Sequence, residues 1–306
     1  MLAIPHFMST STPSPAPDAV FDWPGASGPL QWRLFRGSPT RRSDALLVFF
    51  HPGGFISDDV EASDHCLRVL ADTCRINVVA PNYALAPDHP FPAAVEDAHA
   101  VLRGAVKQRA QLGWNGTHLF VGGVEAGGNL AAVSALVCRD RLGPKLAGQI
   151  LVMPMLDPSL QSDSMRAACV RAESVVKAVE RSYRCYLPRP ADRLHPYASP
   201  LQASRLAGLP PALVLTAEGD PLCDEACRYA DKLEAAGVAV QRGWLHPAGV
   251  RDAQERCQAT ADDPGIQALA AFLEPYTCST PSAATTPASS TESSPSHSTD
   301  ASRSTP

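Results

Sequence analysis

Runs of hydrophobic residues alternate with amphipathic stretches along most of the chain. Pro29–Arg36 alternates apolar and polar positions, which predicts a strand that places Leu30, Trp32 and Leu34 on one face. Ala45–His51 is apolar up to its final histidine, as is typical of a buried strand, and Pro-Gly-Gly follows it as a turn signal. The chain therefore begins its folded part with strands of two different kinds.

The rest of the pattern repeats strand and helix in turn. Further strands are predicted at Ile76–Ala80, Thr117–Gly122, Gly148–Met153, Pro211–Glu218 and Val238–Trp244, and helices at Ala62–Cys74, Pro92–Gln108, Ala126–Asp140, Asp224–Ala236 and Ile266–Leu273. This alternation predicts an α/β fold with a mainly parallel central sheet and helices on both faces. Sites in such sheets lie at the carboxyl ends of the strands, so the loops after His51, Gly122, Glu218 and Trp244 are the candidates.

Composition divides the chain into a body and two polar ends. Ser279–Pro306 contains 10 Ser and 6 Thr in 28 residues and has no Leu, Ile, Val or aromatic side chain. A segment with so little to bury cannot offset its conformational entropy, so we predict a disordered tail there and a disordered start over residues 1–17. Residues 18–278 are predicted to form a single domain.

Charge and cysteine content exclude several classes of protein. The formal net charge is −5 and Lys and Arg form no block, which argues against a nucleic-acid or anionic-membrane partner. Nine cysteines without a CxxC pair predict neither a disulfide framework nor a zinc site, and most of them are expected to be small buried residues. With no basic start followed by an apolar stretch, a cytoplasmic protein without metal or cofactor is expected.

Two of the candidate loops have a pattern that suggests chemistry. Gly123–Gly128 reads Gly-Val-Glu-Ala-Gly-Gly between a predicted strand and a helix, where a nucleophile elbow exposes its middle residue. His51–Gly54 offers flexible backbone N–H groups of the kind that form an oxyanion hole. Each loop alone is more often a simple glycine turn, but the two in this order point to a catalytic scaffold.

From about Ala45 to Leu273 the chain resembles the hormone-sensitive-lipase-like branch of the α/β hydrolases, which includes acetyl esterases and carboxylesterases. The motifs that are similar to the family's are FFHPGG at Phe49–Gly54, YALAPDHPFPAAVEDA at Tyr83–Ala98, YASPL at Tyr197–Leu201 and LPPALVLTAEGDPLCDEA at Leu209–Ala226. The resemblance implies the α/β-hydrolase fold with a small cap, from the N-terminal segment and about residues 161–192. It also implies oxyanion donors at Gly53, Gly54 and Ala126.

The family's chemistry requires a Ser nucleophile, a His base and an Asp that orients the His. Asp220 matches the family Asp, but Glu125 stands at the Ser position. Counting from Gly237, the His position is occupied by Val250. His246 comes four residues too early and is followed by Pro, so it is a poor substitute. The resemblance therefore implies that the standard triad is incomplete.

Glu125 has two interpretations. Its carboxylate could accept hydrogen bonds from the oxyanion donors and fill the hole, which makes it a poor base and nucleophile. Alternatively, it could serve as a carboxylate nucleophile or base, as Asp does in epoxide hydrolases of the wider fold. We favour the first. His51 is expected to be a structural loop residue, and Cys223 and Cys227, one helical turn apart, to be packing residues instead of metal ligands.

Three functional hypotheses follow. The favoured one is a pseudo-hydrolase that binds a small apolar or ester-like molecule, as the gibberellin receptors of this family do with Val at the His position. The second is an active hydrolase or lyase that uses Glu125. The third is an inert scaffold that binds another protein through its cap or tail. A homodimer through the last strand is possible, and the sequence does not name the ligand.

Overall fold

Eight strands form one sheet at the centre of the molecule, and the computed structural model describes residues 16–37, 44–58, 60–245 and 260–277. The strands are β1 (Ala19–Pro24), β2 (Pro29–Phe35), β3 (Ala45–Phe50), β4 (Asn77–Pro81), β5 (His118–Val124), β6 (Gly148–Val152), β7 (Ala212–Ala217) and β8 (Val240–Leu245). Their order across the sheet is β1-β2-β4-β3-β5-β6-β7-β8. Strands β3 to β8 are parallel, and β1 and β2 join antiparallel at one edge. The predicted mainly parallel sheet is confirmed.

The described residues contain seven α-helices, of which all but the last lie between strands of the sheet. They are α1 (Asp64–Cys74), α2 (Ala93–Lys107), α3 (Ala126–Asp140), α4 (Asp163–Arg171), α5 (Glu173–Tyr186), α6 (Cys223–Ala235) and α7 (Pro264–Thr277). Single helical turns also occur at Glu61–Ser63, Pro190–Leu194 and Pro200–Gln202. The helices lie on both faces of the sheet, as the alternation in the sequence predicts.

The two faces of the sheet support separate hydrophobic cores. Along β3 the side chains alternate, so Leu46 and Val48 pack with α2, α3 and α6 while Leu47 and Phe49 pack with α1 and α7. All six residues of β3 are buried. A strand covered on both faces reads as a continuous apolar run, which explains the pattern at Ala45–Phe50.

The structure corrects the predicted element boundaries where tertiary contacts extend or shorten them. The strand predicted at Thr117–Gly122 continues to Val124, because Gly123 and Val124 still pair with β6. The strand predicted to start at Val238 starts at Val240, since Gly237 at φ +78° turns the chain out of α6 and the Val238 N–H is bonded to Leu233. The last helix is longer than predicted at both ends.

The edge of the sheet differs most from expectation. The sequence pattern predicts no strand at Ala19–Pro24, yet β1 pairs there with β2. Leu30, Trp32 and Leu34 are buried as expected, but Arg33 on the other face of β2 is buried too, while Gln31 on that face stays exposed. Arg33 is buried because it pairs with Asp64 at the start of α1, with Nε 2.9 Å from Oδ1.

Cysteine burial follows the helix faces only in part. Cys74 and Cys138 are buried, and burial raises the pKa of each thiol to about 12. Cys169 is exposed because α4 presents it to solvent, and with two of the seven described cysteines buried the expectation that most are buried is wrong. Four others are half-buried, and Cys257 and Cys278 lie outside the described residues. No group of three His, Cys, Asp or Glu in the described ranges could hold a metal ion.

Several expectations concern residues that the structure does not describe, namely the start over residues 1–15 and the tail after Thr277. In the described part of the chain, none of the helices has the length and apolar character that a bilayer crossing demands.

Candidate active site and ligand pocket

The turn between β5 and α3 has the geometry of a nucleophile elbow. Glu125 has φ 52° and ψ −112°, a conformation that a non-glycine residue adopts only when its surroundings enforce it. Backbone hydrogen bonds hold Glu125 in this conformation. Its N–H donates to Val152 O at 3.1 Å, and its carbonyl oxygen accepts the backbone N–H groups of Asn129 and Met155. The side chain of Glu125 therefore leaves the end of the sheet at a fixed position.

Glycines allow the elbow to lie this close to the neighbouring strand. A Cβ on Gly127 would stand 2.5 Å from the carbonyl carbon of Phe50 and 2.7 Å from the oxygen of His51. A Cβ on Gly123 would stand 2.7 Å from the oxygen of Phe50. Only hydrogen fits at these positions, which explains the Gly-x-Glu-x-Gly spacing.

The loop after β3 places its glycines beside the elbow. Gly53 and Gly54 have φ of +120° and +60°, and Gly53 O accepts the N–H groups of Ile56 and Ser57 at 3.1 Å. Helix α5 packs directly on this loop, because a Cβ on Gly54 would lie 2.9 Å from Cβ of Ser182.

His51 packs against this loop from the interior of the protein. Its ring stacks on Tyr83 with centroids 4.3 Å apart, and its Nδ1 is 2.6 Å from Pro52 O. The Tyr83 hydroxyl donates to His51 O at 3.0 Å. His51 is buried and does not line the pocket, in keeping with a structural role.

Glu125, Gly53, Gly54 and Asp220 line one cavity of about 400 Å³. Its apolar wall comes mainly from Ile56, Met155, Val175, Val179 and Leu222. Asp220 lies three residues before α6, and its Oδ1 accepts the Leu222 N–H at 2.8 Å. Ala126, the third expected oxyanion donor, is the first residue of α3 and is fully buried. The structure thus brings three of the sequence-predicted sites, the elbow, the glycine loop and the Asp turn, to one place.

His246 and Val250, which bear on the third member of a triad, lie outside the described residues.

Comparison with known proteins agrees with this geometry. The alpha/beta hydrolase fold family matches residues 47–244. The chain belongs to this family. Within the family, it is an esterase-like α/β hydrolase of the hormone-sensitive-lipase-like branch.

Curated relatives of this α/β hydrolase include enzymes and a receptor. This chain is 37% identical to esterase LipI of Mycobacterium tuberculosis over 71% of its own length and 69% of that protein. It is 29% identical to gibberellin receptor GID1 of Oryza sativa over 67% of the chain and 60% of the receptor. The chain spans about two thirds of the length of the curated relatives that it matches.

Among solved structures, the esterase of Pyrobaculum calidifontis superposes with a TM-score of 0.73 at 34% identity, over 86% of each chain.

The charged side chains that line the hydrolase pocket are the carboxyl groups of Glu125 and Asp220 and the guanidinium group of Arg181. Burial, and then the charge of Glu125, raise the pKa of Tyr83 well above its ordinary value. Behind the pocket, burial raises the pKa of Glu225 well above that of a free glutamic acid, and Asp157 and Asp220 add to the effect. Glu225 is fixed there because its two oxygens accept the N–H groups of Leu156 and Asp157 at 3.1 and 3.0 Å.

Helix α5 lies within the cap expected at about residues 161–192, but sequence reasoning named none of its side chains as part of the pocket. Ser174, Val175, Ala178, Val179, Arg181 and Ser182 all line the cavity, and all lie on one side of this helix. Their spacing of three and four residues is a helical signal, but nothing in the sequence says which cavity that face covers.

Proposed function

We propose that this α/β hydrolase binds a small molecule in its pocket and does not hydrolyse esters by a serine mechanism. The observation that carries the proposal is Glu125 in the elbow conformation, at the position from which a serine would attack. A carboxylate cannot be converted into an alkoxide nucleophile, so the acyl-enzyme route through a serine is closed.

A substitute nucleophile is not apparent among the described residues that line the pocket. Ser57, Ser174 and Ser182 line it, but none stands at the strand-to-helix turn, and no described histidine lines the pocket. A serine without a base within hydrogen-bond reach remains a weak nucleophile. These hydroxyls are therefore better suited to binding.

We further propose that the Glu125 carboxylate occupies the place where a substrate oxyanion would form. It stands at the N-terminus of α3, where the helix dipole stabilises negative charge. Gly53 and Gly54 line the same cavity. An ester carbonyl would then find its usual donors engaged by a resident anion, which disfavours ester binding at this point.

The carboxylates in the pocket also determine which polar group of a ligand would bind there. Glu125 and Asp220 are acceptors when ionised and outnumber the one cation of the lining, Arg181, and most of the remaining wall is apolar. The complementary molecule has a compact apolar body and a hydrogen-bond donor, of which an amine is the strongest form. We therefore expect a small apolar ligand that carries a hydrogen-bond donor.

Titration calorimetry with cyclohexylamine, cyclohexanol and cyclohexanecarboxylate tests this ligand class. We expect the amine to bind at least about 10-fold more tightly than the other two, and Glu125→Gln to remove that preference. Glu173→Gln, an exposed carboxylate of α5 paired with Lys177, is the matched control and should change nothing. Val179→Trp should fill the cavity and abolish all three interactions. Binding of the carboxylate in preference to the amine would contradict the proposal.

A second candidate function rests on the strain that Glu125 retains. A residue held at φ 52° and ψ −112° is oriented for attack on a bound molecule, as a carboxylate nucleophile or base in a hydrolase or lyase would be. Loss of turnover in Glu125→Gln separates this candidate from the first.

A further inference from the structure

We infer that a second cavity, at the opposite end of the strands from Glu125, is a binding site for a small phosphate-bearing anion. It lies where the end of α2 meets the loop between α3 and β6. That loop leads into the amino end of β6, whereas the elbow follows the carboxyl end of β5. The two sites are therefore separated by the length of the strands.

Basic side chains from two segments meet at this cavity. His99, Arg103 and Lys107 follow one another at intervals of four residues and so share one face of α2. Arg141, at the end of α3, faces them across a cavity of about 440 Å³. No carboxylate belongs to the described lining, in a chain whose formal net charge is −5. We call this site the basic cavity.

The wall opposite α2 is packed closely enough to be a defined surface. A Cβ on Gly143 would lie 3.0 Å from Cε1 of His99, so the loop after α3 is in contact with the helix. Arg141 is held from behind, since its Nη1 donates to both oxygens of Glu96 at 2.8 Å. Its guanidinium also lies over the Tyr197 ring, 5.3 Å from the centroid. An oriented guanidinium loses less entropy when it binds an anion.

The potential in the basic cavity is positive. Burial, followed by the charges of Arg103 and Arg141, lowers the pKa of His99, and Glu96 opposes this shift only weakly. Within the described ranges, Arg103 and Lys107 take part in no ion pair. Glu96 is engaged by Arg141 outside the lining. The cavity thus contains two cationic groups, Arg103 and Lys107, whose charge no described neighbour balances, beside Arg141, which Glu96 pairs.

Helix dipoles explain only part of this gathering. The C-termini of α2 and α3 favour cations, which accounts for Lys107 and Arg141. The dipole effect falls off within the last turn, so it does not account for Arg103 or for His99. A bound anion does account for Arg103 as well as for Lys107 and Arg141.

The chemistry of the lining favours phosphate as the anion. Guanidinium groups match the oxygens of phosphate with paired hydrogen bonds, and lysine adds a point charge. A cavity of this volume suits a small molecule better than a nucleic-acid duplex or a membrane surface. A neighbouring cavity shares Val106 and Pro144 with it and adds Arg109 and Lys145. This continuation would accommodate a second phosphate group.

Titration calorimetry with inorganic pyrophosphate at constant, low ionic strength tests the basic cavity. We expect saturable binding with a stoichiometry of one, weakened at least about 10-fold in the double variant Arg103→Gln with Lys107→Gln. Arg193→Gln, an exposed arginine on a different segment, should bind as the wild type does. In proton NMR titrations, pyrophosphate should raise the pKa of His99.

Three outcomes of the pyrophosphate titrations would overturn the inference. They are the absence of saturable binding at millimolar pyrophosphate, unchanged binding in the double variant, and equal weakening in Arg193→Gln. Sodium sulfate at the same ionic strength distinguishes binding at the site from general screening of charge by salt. If sulfate competes as well as pyrophosphate does, the site does not recognise phosphate.

Discussion

Glu125→Ser combined with Val250→His should hydrolyse p-nitrophenyl acetate at least about 100-fold faster than the wild type, while each single variant stays at the wild-type level. The reason is that a serine needs a base and a histidine needs a nucleophile, so the two act as a unit. The elbow, the glycine loop and Asp220 are already in place around the pocket. Steady-state release of p-nitrophenol measures the effect.

Adding Asp220→Asn to the double variant is the control. If the gain depends on a triad, this third change should return turnover toward the background, because the imidazole loses its orienting carboxylate. A double variant that folds with an unchanged melting temperature and still shows no turnover would contradict the view that the scaffold of an esterase is preserved here.

Gly127→Ala should destabilise the protein by about 3 kcal/mol or more. Its Cβ would lie 2.5 Å from the Phe50 carbonyl carbon, which is a backbone atom, and no side-chain rotation moves a Cβ, so neither group can rotate away. The elbow would have to move off β3. Urea denaturation followed by circular dichroism measures the change in the free energy of unfolding.

Gly208→Ala provides the comparison for this prediction. Gly208 has φ +78°, but no described atom lies within 4 Å of the point where its Cβ would stand. The cost there is therefore backbone strain alone, about 1 kcal/mol. Equal losses of stability in the two variants would show that the close approach of Gly127 to Phe50 does not matter.

The sequence predicts the centre of the fold better than its edge. The continuous apolar run at Ala45–Phe50 and the alternation around it follow from burial on both faces, so they are visible without coordinates. Strand β1 is not, because its residues alternate between half-buried and exposed and it forms by pairing with β2. Burial of Arg33 likewise depends on Asp64, 31 positions away.

The candidate sites also divide into residues that the sequence reveals and residues that only tertiary packing brings into place. Glu125, Gly53 and Gly54 are found from sequence because glycine spacing at a strand end reflects local geometry. Ser182 is not, because its place beside Gly54 depends on how α5 crosses the loop. The basic cavity is also invisible in the sequence, since Arg103 and Arg141 come together only through the packing of α2 on α3.

The central claim is that Glu125 makes this pocket a binding site instead of a serine esterase site. Its most direct test is the turnover of p-nitrophenyl acetate by the wild type beside Glu125→Gln, both purified in the same way. The account predicts that both proteins stay at the uncatalysed background. Turnover by the wild type that Glu125→Gln abolishes would contradict it and would assign catalysis to the Glu125 carboxylate.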